Sequence, residues 1–221
     1  LIIVFSPSSH LGMTSMMTSY FQPSTIGAVG LLSGLCCLLH RRFILAGLVL
    51  AVAGVFHINY MVWIIVILAA FVPLNRRELG WRGSVALLGP ALLAAAYHLP
   101  FVIASRAPEQ LAVAPQAATI LHDIYMPVHS RPRTWGVGPF IQFAAVLLAG
   151  ITAWYCTCRR PLDARTQSLL FISGAIILSG AVLTLGIEVD AVAMLFPYRI
   201  APLLILAAQI SAALALVRTA Q

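Results

Sequence analysis

The sequence predicts an all-α fold: a polytopic helical membrane protein with about six to seven transmembrane or re-entrant helices, plus a short interfacial helix in a long extracytoplasmic loop. Three observations predict it. Of 221 residues, 61% are hydrophobic and only 9% charged, with a mean hydropathy of +0.98, whereas a soluble domain is roughly one-quarter charged. The apolar residues lie in runs near the ~20 residues that a helical span requires. The charged residues fall between those runs. Residues 1–221 therefore read as one transmembrane helical domain, within which 105–138 form the long loop. No period of 20 to 50 residues repeats, which excludes a solenoid. Leu1 to Phe5 has no basic region and no initiator Met precedes it, so a fragment of a longer chain is expected.

Taken in order, Ser24 to Leu39 is uncharged and closes on His40-Arg41-Arg42, where long cations can reach the headgroups. Gly30 and Gly34 in this run are spaced for close helix packing. Phe43 to Leu74 follows, closed by Arg76-Arg77-Glu78 and Arg82. As one helix this run would be roughly 48 Å long against a hydrocarbon core of about 30 Å. Two short arms turning near Phe56-His57-Ile58-Asn59-Tyr60 explain both the excess length and the polar cluster at its centre. Gly83 to Ala104, Pro139 to Cys158, Thr166 to Ile187 and Ile200 to Val217 are each close to one span, and Pro90 predicts a kink in the first of them.

All thirteen basic residues are Arg, permanently charged forks suited to phosphate and headgroup contacts. They form no stripe with interleaved aromatics, which argues against nucleic acid as a partner. Cys36 and Cys37 sit within an apolar run and Cys156 and Cys158 at the end of another, so no disulfide framework is read and the thiols count as small apolar fillers. If residues 43–74 form a hairpin, Arg41, Arg42, Arg76, Arg77, Arg82, Arg159, Arg160, Arg165 and Arg218 share one side, nine of the thirteen. If they form one helix, the split is six against seven. The positive-inside rule prefers the hairpin and makes that side cytoplasmic.

The unusual chemistry then gathers on the extracytoplasmic side. In the loop 105–138, Ala117, Ile120, Leu121 and Ile124 recur at helical spacing, which predicts the interfacial helix. Beyond it, His129, Arg131 and Arg133 form a candidate cradle for a phosphate, pyrophosphate or polar headgroup. Contact with anionic lipid would use the same side chains. His57 breaks an apolar run, where a titratable residue is a candidate proton acceptor or donor to a phosphorylated ligand. His98 is expected to cap a helix end. Glu188 and Asp190 precede Phe196-Pro-Tyr-Arg199, so Arg199 opens the last span within reach of acidic partners. Asp123, beside His122, is a candidate base. A divalent cation could be held by such carboxylates, but no spacing here matches a recognised metal motif.

Four stretches occur in a telling order: Phe21-Gln-Pro-Ser-Thr-Ile-Gly27, Gly54-Val-Phe-His-Ile-Asn-Tyr-Met61, Pro-Val-His-Ser-Arg-Pro from Pro127, and Phe196-Pro-Tyr-Arg-Ile200. Together they resemble the later membrane portion of large bacterial polytopic proteins that are similar to GT-C-type glycosyltransferases. The resemblance implies a multi-pass enzyme of the bacterial plasma (inner) membrane that uses a polyprenyl-phosphate sugar on the extracytoplasmic side. For such an enzyme the expected base is Asp123 or a carboxylate upstream of Leu1, with His129 and His57 as further catalytic candidates and Arg131, Arg133 and Arg199 as the grip on the donor phosphates. Two features depart from the family pattern. No carboxylate precedes Glu78, where the family carries an acidic motif in its first extracytoplasmic loop. Ser130 and Arg131 stand where a second His and a nearby aromatic are expected. The sequence also admits a transporter or flippase-like protein, with the broken 43–74 run as a discontinuous helix, or a non-catalytic subunit of a larger membrane complex, with other membrane subunits as partners.

Overall fold

A computed structural model describes residues 23–120, 124, 132–157, 162–187, 195 and 197–219. All regular structure among them is helical. The helices are α1 (Pro23–Leu39), α2 (Phe43–Phe56), α3 (Ile58–Leu74), α4 (Arg76–Ala104), α5 (Pro108–Thr119), α6 (Gly138–Thr157), α7 (Ala164–Ala181, continued by a π-helical turn Val182–Gly186) and α8 (Ala201–Thr219). Single 3-10 turns at Pro132–Trp135 and Pro197–Ile200 introduce α6 and α8. Four helical stretches are long and apolar enough to cross a membrane: Arg76–Ala104, Gly138–Cys156, Ala164–Leu185 and Pro197–Val217. The apolar helices α1, α2 and α3 are shorter, at 17, 14 and 17 residues.

The long apolar run does turn back on itself. His57 has extended backbone (φ −153°, ψ 112°) between α2 and α3, and Gly54 packs against Met61 across the break. At the far end, Arg41 donates to Glu78 Oε1 at 2.8 Å although 37 residues separate them. A 32-residue rod could not return its two flanks to contact. Two antiparallel arms do so, and this places Arg41, Glu78 and Arg165 at one end of the bundle and His57 at the other.

Small residues set the packing. Along α1, positions Gly27, Gly30 and Gly34 face Tyr60, Ala53 and Leu50 in turn, so α1 and α2 run antiparallel with backbones close. The Gly30/Gly34 spacing is thus a real contact surface. Gly47 of α2 meets the backbone oxygens of Ala86 and Leu87 in α4, and Phe43 lies against Gly83, so α2 and α4 run parallel. Gly150 of α6 packs on the backbone of Ala208 in α8. The core between α1 and α4 is made by Leu31, Leu38, Leu50, Ile64, Ile67, Leu68, Phe71 and Leu87. Large apolar side chains such as Leu93, Phe171 and Tyr155 point outward, at 75%, 72% and 85% exposure, an apolar surface that suits lipid and would be a liability in water.

Helix ends follow local chemistry. Asp163 caps α7, accepting from the amides of Arg165 and Thr166 and from the Thr166 hydroxyl. Arg41 closes α1 with φ +61°, and the Arg42 amide bonds back to Cys37 O at 2.9 Å, a left-handed helix end usually given to glycine. Two features differ in position from the simplest reading of the sequence. The backbone of α4 leaves helical values at Gly80 (φ 58°, ψ −179°), ahead of the Gly83–Ala104 span; a glycine-only conformation decides where this helix breaks. The loop helix begins at Pro108, with Glu109 in its first turn, earlier than the 117–124 periodicity predicts, because proline and an acidic residue favour a helix start. Leu121 lies outside the described residues.

Candidate functional site

The site at the His57 end is assembled from the two helix breaks that the sequence singles out. The α2–α3 break presents His57 and Tyr60. The 3-10 turn before α8 presents Tyr198 and Arg199. Arg199 donates through one terminal guanidinium nitrogen to His57 Nε2 at 2.8 Å, across 142 residues of chain. An arginine has no acceptor. His57 Nε2 must therefore carry the lone pair, and the ring is neutral with its proton on Nδ1. That Nδ1 is buried and has no hydrogen-bond partner among the described residues. The Arg199 guanidinium also stands 5.8 Å from the Tyr60 ring centroid, a cation–π contact, and the Tyr60 and His57 rings meet edge to face.

Neighbouring contacts fix these groups. His98 does act at a helix end, that of a different helix: its Nε2 donates to Gly54 O at 2.9 Å, a carbonyl in the last turn of α2 that also accepts from the His57 amide at 3.2 Å. Trp63 of α3 donates its indole N–H to Leu195 O at 2.7 Å, tying α3 to the segment that leads into the 3-10 turn. Thr184 gives its hydroxyl proton to Gly180 O at 2.7 Å, so the 2.8 Å contact with Tyr198 is donated by the tyrosine. Trp135 crosses Tyr198 edge to face, with ring centres 4.8 Å apart, and stacks on Phe140. Its indole N–H, like His57 Nδ1, is buried without a partner among the described residues. Chemically, this end offers a permanent cation and two unsatisfied N–H donors, a set that recognises oxygen acceptors and anions.

The space beside them is small. Ala28, Leu31, Tyr60, Arg199 and Pro202 line a crevice of about 10 Å³, room for about one water molecule.

Of the residues singled out by sequence, His57 and Arg199 are brought into contact. Asp123, His129, Arg131, Glu188 and Asp190 lie outside the described residues, as does the side chain of Arg133, whose backbone belongs to the 3-10 turn Pro132–Trp135. Tyr60, Trp63, Trp135, Thr184 and Tyr198 were not singled out individually. Two of them, Tyr60 and Tyr198, stand inside the quoted stretches, and an aromatic next to a polar residue at a span end was the available signal. Among the described residues no three His, Cys, Asp or Glu side chains cluster as a metal site.

Comparison with known proteins gives no family, curated relative or fold neighbour: no family model, no curated protein and no solved structure matches this chain.

Proposed function

We propose that this chain is the multi-pass portion of a plasma-membrane enzyme that handles a polyprenyl-phosphate sugar at its extracytoplasmic end. The observation that carries the reading is the contact of Arg199 with His57. The two stretches Gly54–Met61 and Phe196–Ile200 that carry the resemblance to GT-C-type glycosyltransferases are distant in sequence and adjacent in space. A third stretch, ending at Pro132, leads directly into the turn whose Trp135 packs on Tyr198. The orientation is supported by charge: Arg41, Arg76, Arg77, Arg82 and Arg165 mark the opposite end, and arginine-rich ends face the cytoplasm.

In this reading Arg199 holds a donor phosphate oxygen, and His57 orients the guanidinium while its Nδ1–H donates to the substrate. Asp123 supplies the base, and His129, Arg131 and Arg133 complete the donor grip, with Glu188 and Asp190 as acidic partners of Arg199 or ligands of a divalent cation. The test is photo-crosslinking of the purified full chain to a polyprenyl-phosphate sugar carrying a photoreactive group. Labelling that is competed by unlabelled lipid and lost in Arg199→Ala supports the reading. Labelling unchanged in Arg199→Ala contradicts it.

One observation favours a second reading, a non-catalytic subunit of a membrane complex: the crevice beside Arg199 takes a water and not a sugar. A transporter-like protein gains less, since the described helices bury few polar groups, Asn75, Ser173 and Thr184 among them.

A further inference from the structure

The opposite end of the bundle holds a second cluster with no part in that activity. Where α3 passes into α4 and meets the start of α7, a cavity of about 330 Å³ is lined by Asn75, Arg76, Arg77, Glu78 and Ala164, a volume within the ~300–1,000 Å³ range of small-molecule sites. Its one carboxylate is already engaged on both oxygens. Glu78 Oε1 accepts from Arg41 at 2.8 Å, and Oε2 lies 3.3 Å from Arg165 Nε. Arg165 is held inward, with its side chain 13% exposed, and among the described residues it also pairs with Asp163, at 3.6 Å. Its Nε and one terminal nitrogen are buried and make no hydrogen bond among the described residues. Arg76 and Arg77 form no ion pair among the described residues. Asn75 is occupied, donating to Phe71 O at 2.9 Å. Two arginines with no ion pair among the described residues thus line a cavity whose carboxylate, Glu78, is committed, and Arg165 stands behind that carboxylate as a further buried positive charge. An anion with several acceptor oxygens would give the Arg76 and Arg77 guanidinium groups the partners that Glu78 does not supply.

We propose that this cavity binds a phosphate group, with Arg76 and Arg77 as its grip and Arg165, behind Glu78, adding positive charge. Phosphate fits better than a carboxylate because paired guanidinium forks match its several oxygens. The source is a lipid headgroup or a soluble phosphate, and the proposal stands independently of the sugar-transfer reading.

The test uses the full chain purified in detergent, with two probes. Native mass spectrometry compares retention of phosphatidylglycerol with phosphatidylcholine, and thermal unfolding is followed against inorganic phosphate, with chloride of equal ionic strength as control. Preferential phosphatidylglycerol retention identifies a headgroup site. A phosphate-specific rise in the unfolding midpoint without lipid preference identifies a soluble ligand. Either effect should weaken about fivefold for each arginine removed in Arg76→Gln and Arg77→Gln, both at exposed positions where folding is preserved. Arg165→Gln should weaken it further, and if that variant does not fold, the first two decide. No lipid preference together with no phosphate-specific shift overturns the proposal, as does an effect that survives Arg76→Gln/Arg77→Gln.

Discussion

Arg199 and His57 are joined by a 2.8 Å hydrogen bond in which the guanidinium donates and the imidazole accepts, and this one bond ties the entry of the last helix to the turn of the α2–α3 hairpin. Because the donor is charged and half-buried, its loss should exceed that of a neutral hydrogen bond, at about 1.5–3 kcal/mol. His57→Ala is expected to lower the thermal midpoint of the detergent-solubilised protein, and His57→Gln, which keeps an acceptor, to recover part of the loss. A double-mutant cycle with Arg199→Ala measures the coupling. Additive effects would show that the two residues do not act together.

Gly47 and Gly89 make a matched pair for helix packing. A Cβ on Gly47 would meet the Ala86 and Leu87 carbonyl oxygens at 2.6 and 2.8 Å, and backbone cannot step aside, whereas Gly89 has nothing within 4 Å. Gly47→Ala should therefore destabilise by about 1–3 kcal/mol. Gly89→Ala should be neutral or stabilising by up to ~1 kcal/mol, from the smaller backbone entropy lost. Equal midpoints for both variants would deny the close approach of α2 and α4.

These packing contacts show how much of the fold was legible. Four helices long enough to cross a bilayer were readable because bilayer thickness imposes length, and the turn at His57 because an apolar run of that length with a polar centre does not suit one helix. The Gly80 break was not, since proline in a helix interior is a stronger sequence signal than a glycine whose positive φ shows only in three dimensions. Pro108 with Glu109 did carry a helix-start signal, masked by the apolar periodicity further on. For the site, His57 and Arg199 each stand out as polar groups in apolar surroundings, but their partnership spans 142 residues and no local pattern encodes it. Tyr198 and Trp135 did not stand out individually, for the opposite reason: aromatics near span ends are too common to distinguish.

Asp163 gives the pH dependence. Burial alone would raise its pKa, but the Thr166 hydroxyl, the Thr166 and Arg165 amides and the Arg165 charge outweigh it and hold the carboxyl below its usual range. The folded state thus favours the carboxylate. The stability it contributes is complete above the unfolded value of about 3.9 and is lost as pH falls through the lower folded value. Asp163→Asn should keep most of the cap and flatten this acid limb, while Asp163→Ala should cost about 1 kcal/mol at neutral pH. Unfolding midpoints measured between pH 3 and 7 distinguish these outcomes.

Arg41 opposes two effects in one residue. Its left-handed backbone (φ +61°) costs roughly 1–2 kcal/mol for a residue with a Cβ, while its pair with Glu78 involves side chains 65% and 40% exposed and is worth only about 0.2–1 kcal/mol. Arg41→Gly should therefore leave stability unchanged or slightly raised, and Arg41→Ala should lower it. Chemical denaturation of the two variants beside the parent checks the order.

If residues 43–74 cross the membrane and return, the His57–Arg199 end and the arginine-rich end face opposite sides of it. Single cysteines at Arg42, Phe56 and Arg77, in a chain whose four native cysteines are replaced by serine, can be probed in intact cells with a membrane-impermeant thiol reagent. Labelling is expected at position 56 from outside, and at positions 42 and 77 only after permeabilisation. Positions 42 and 77 labelling from opposite sides, or position 56 sharing their side, would contradict it.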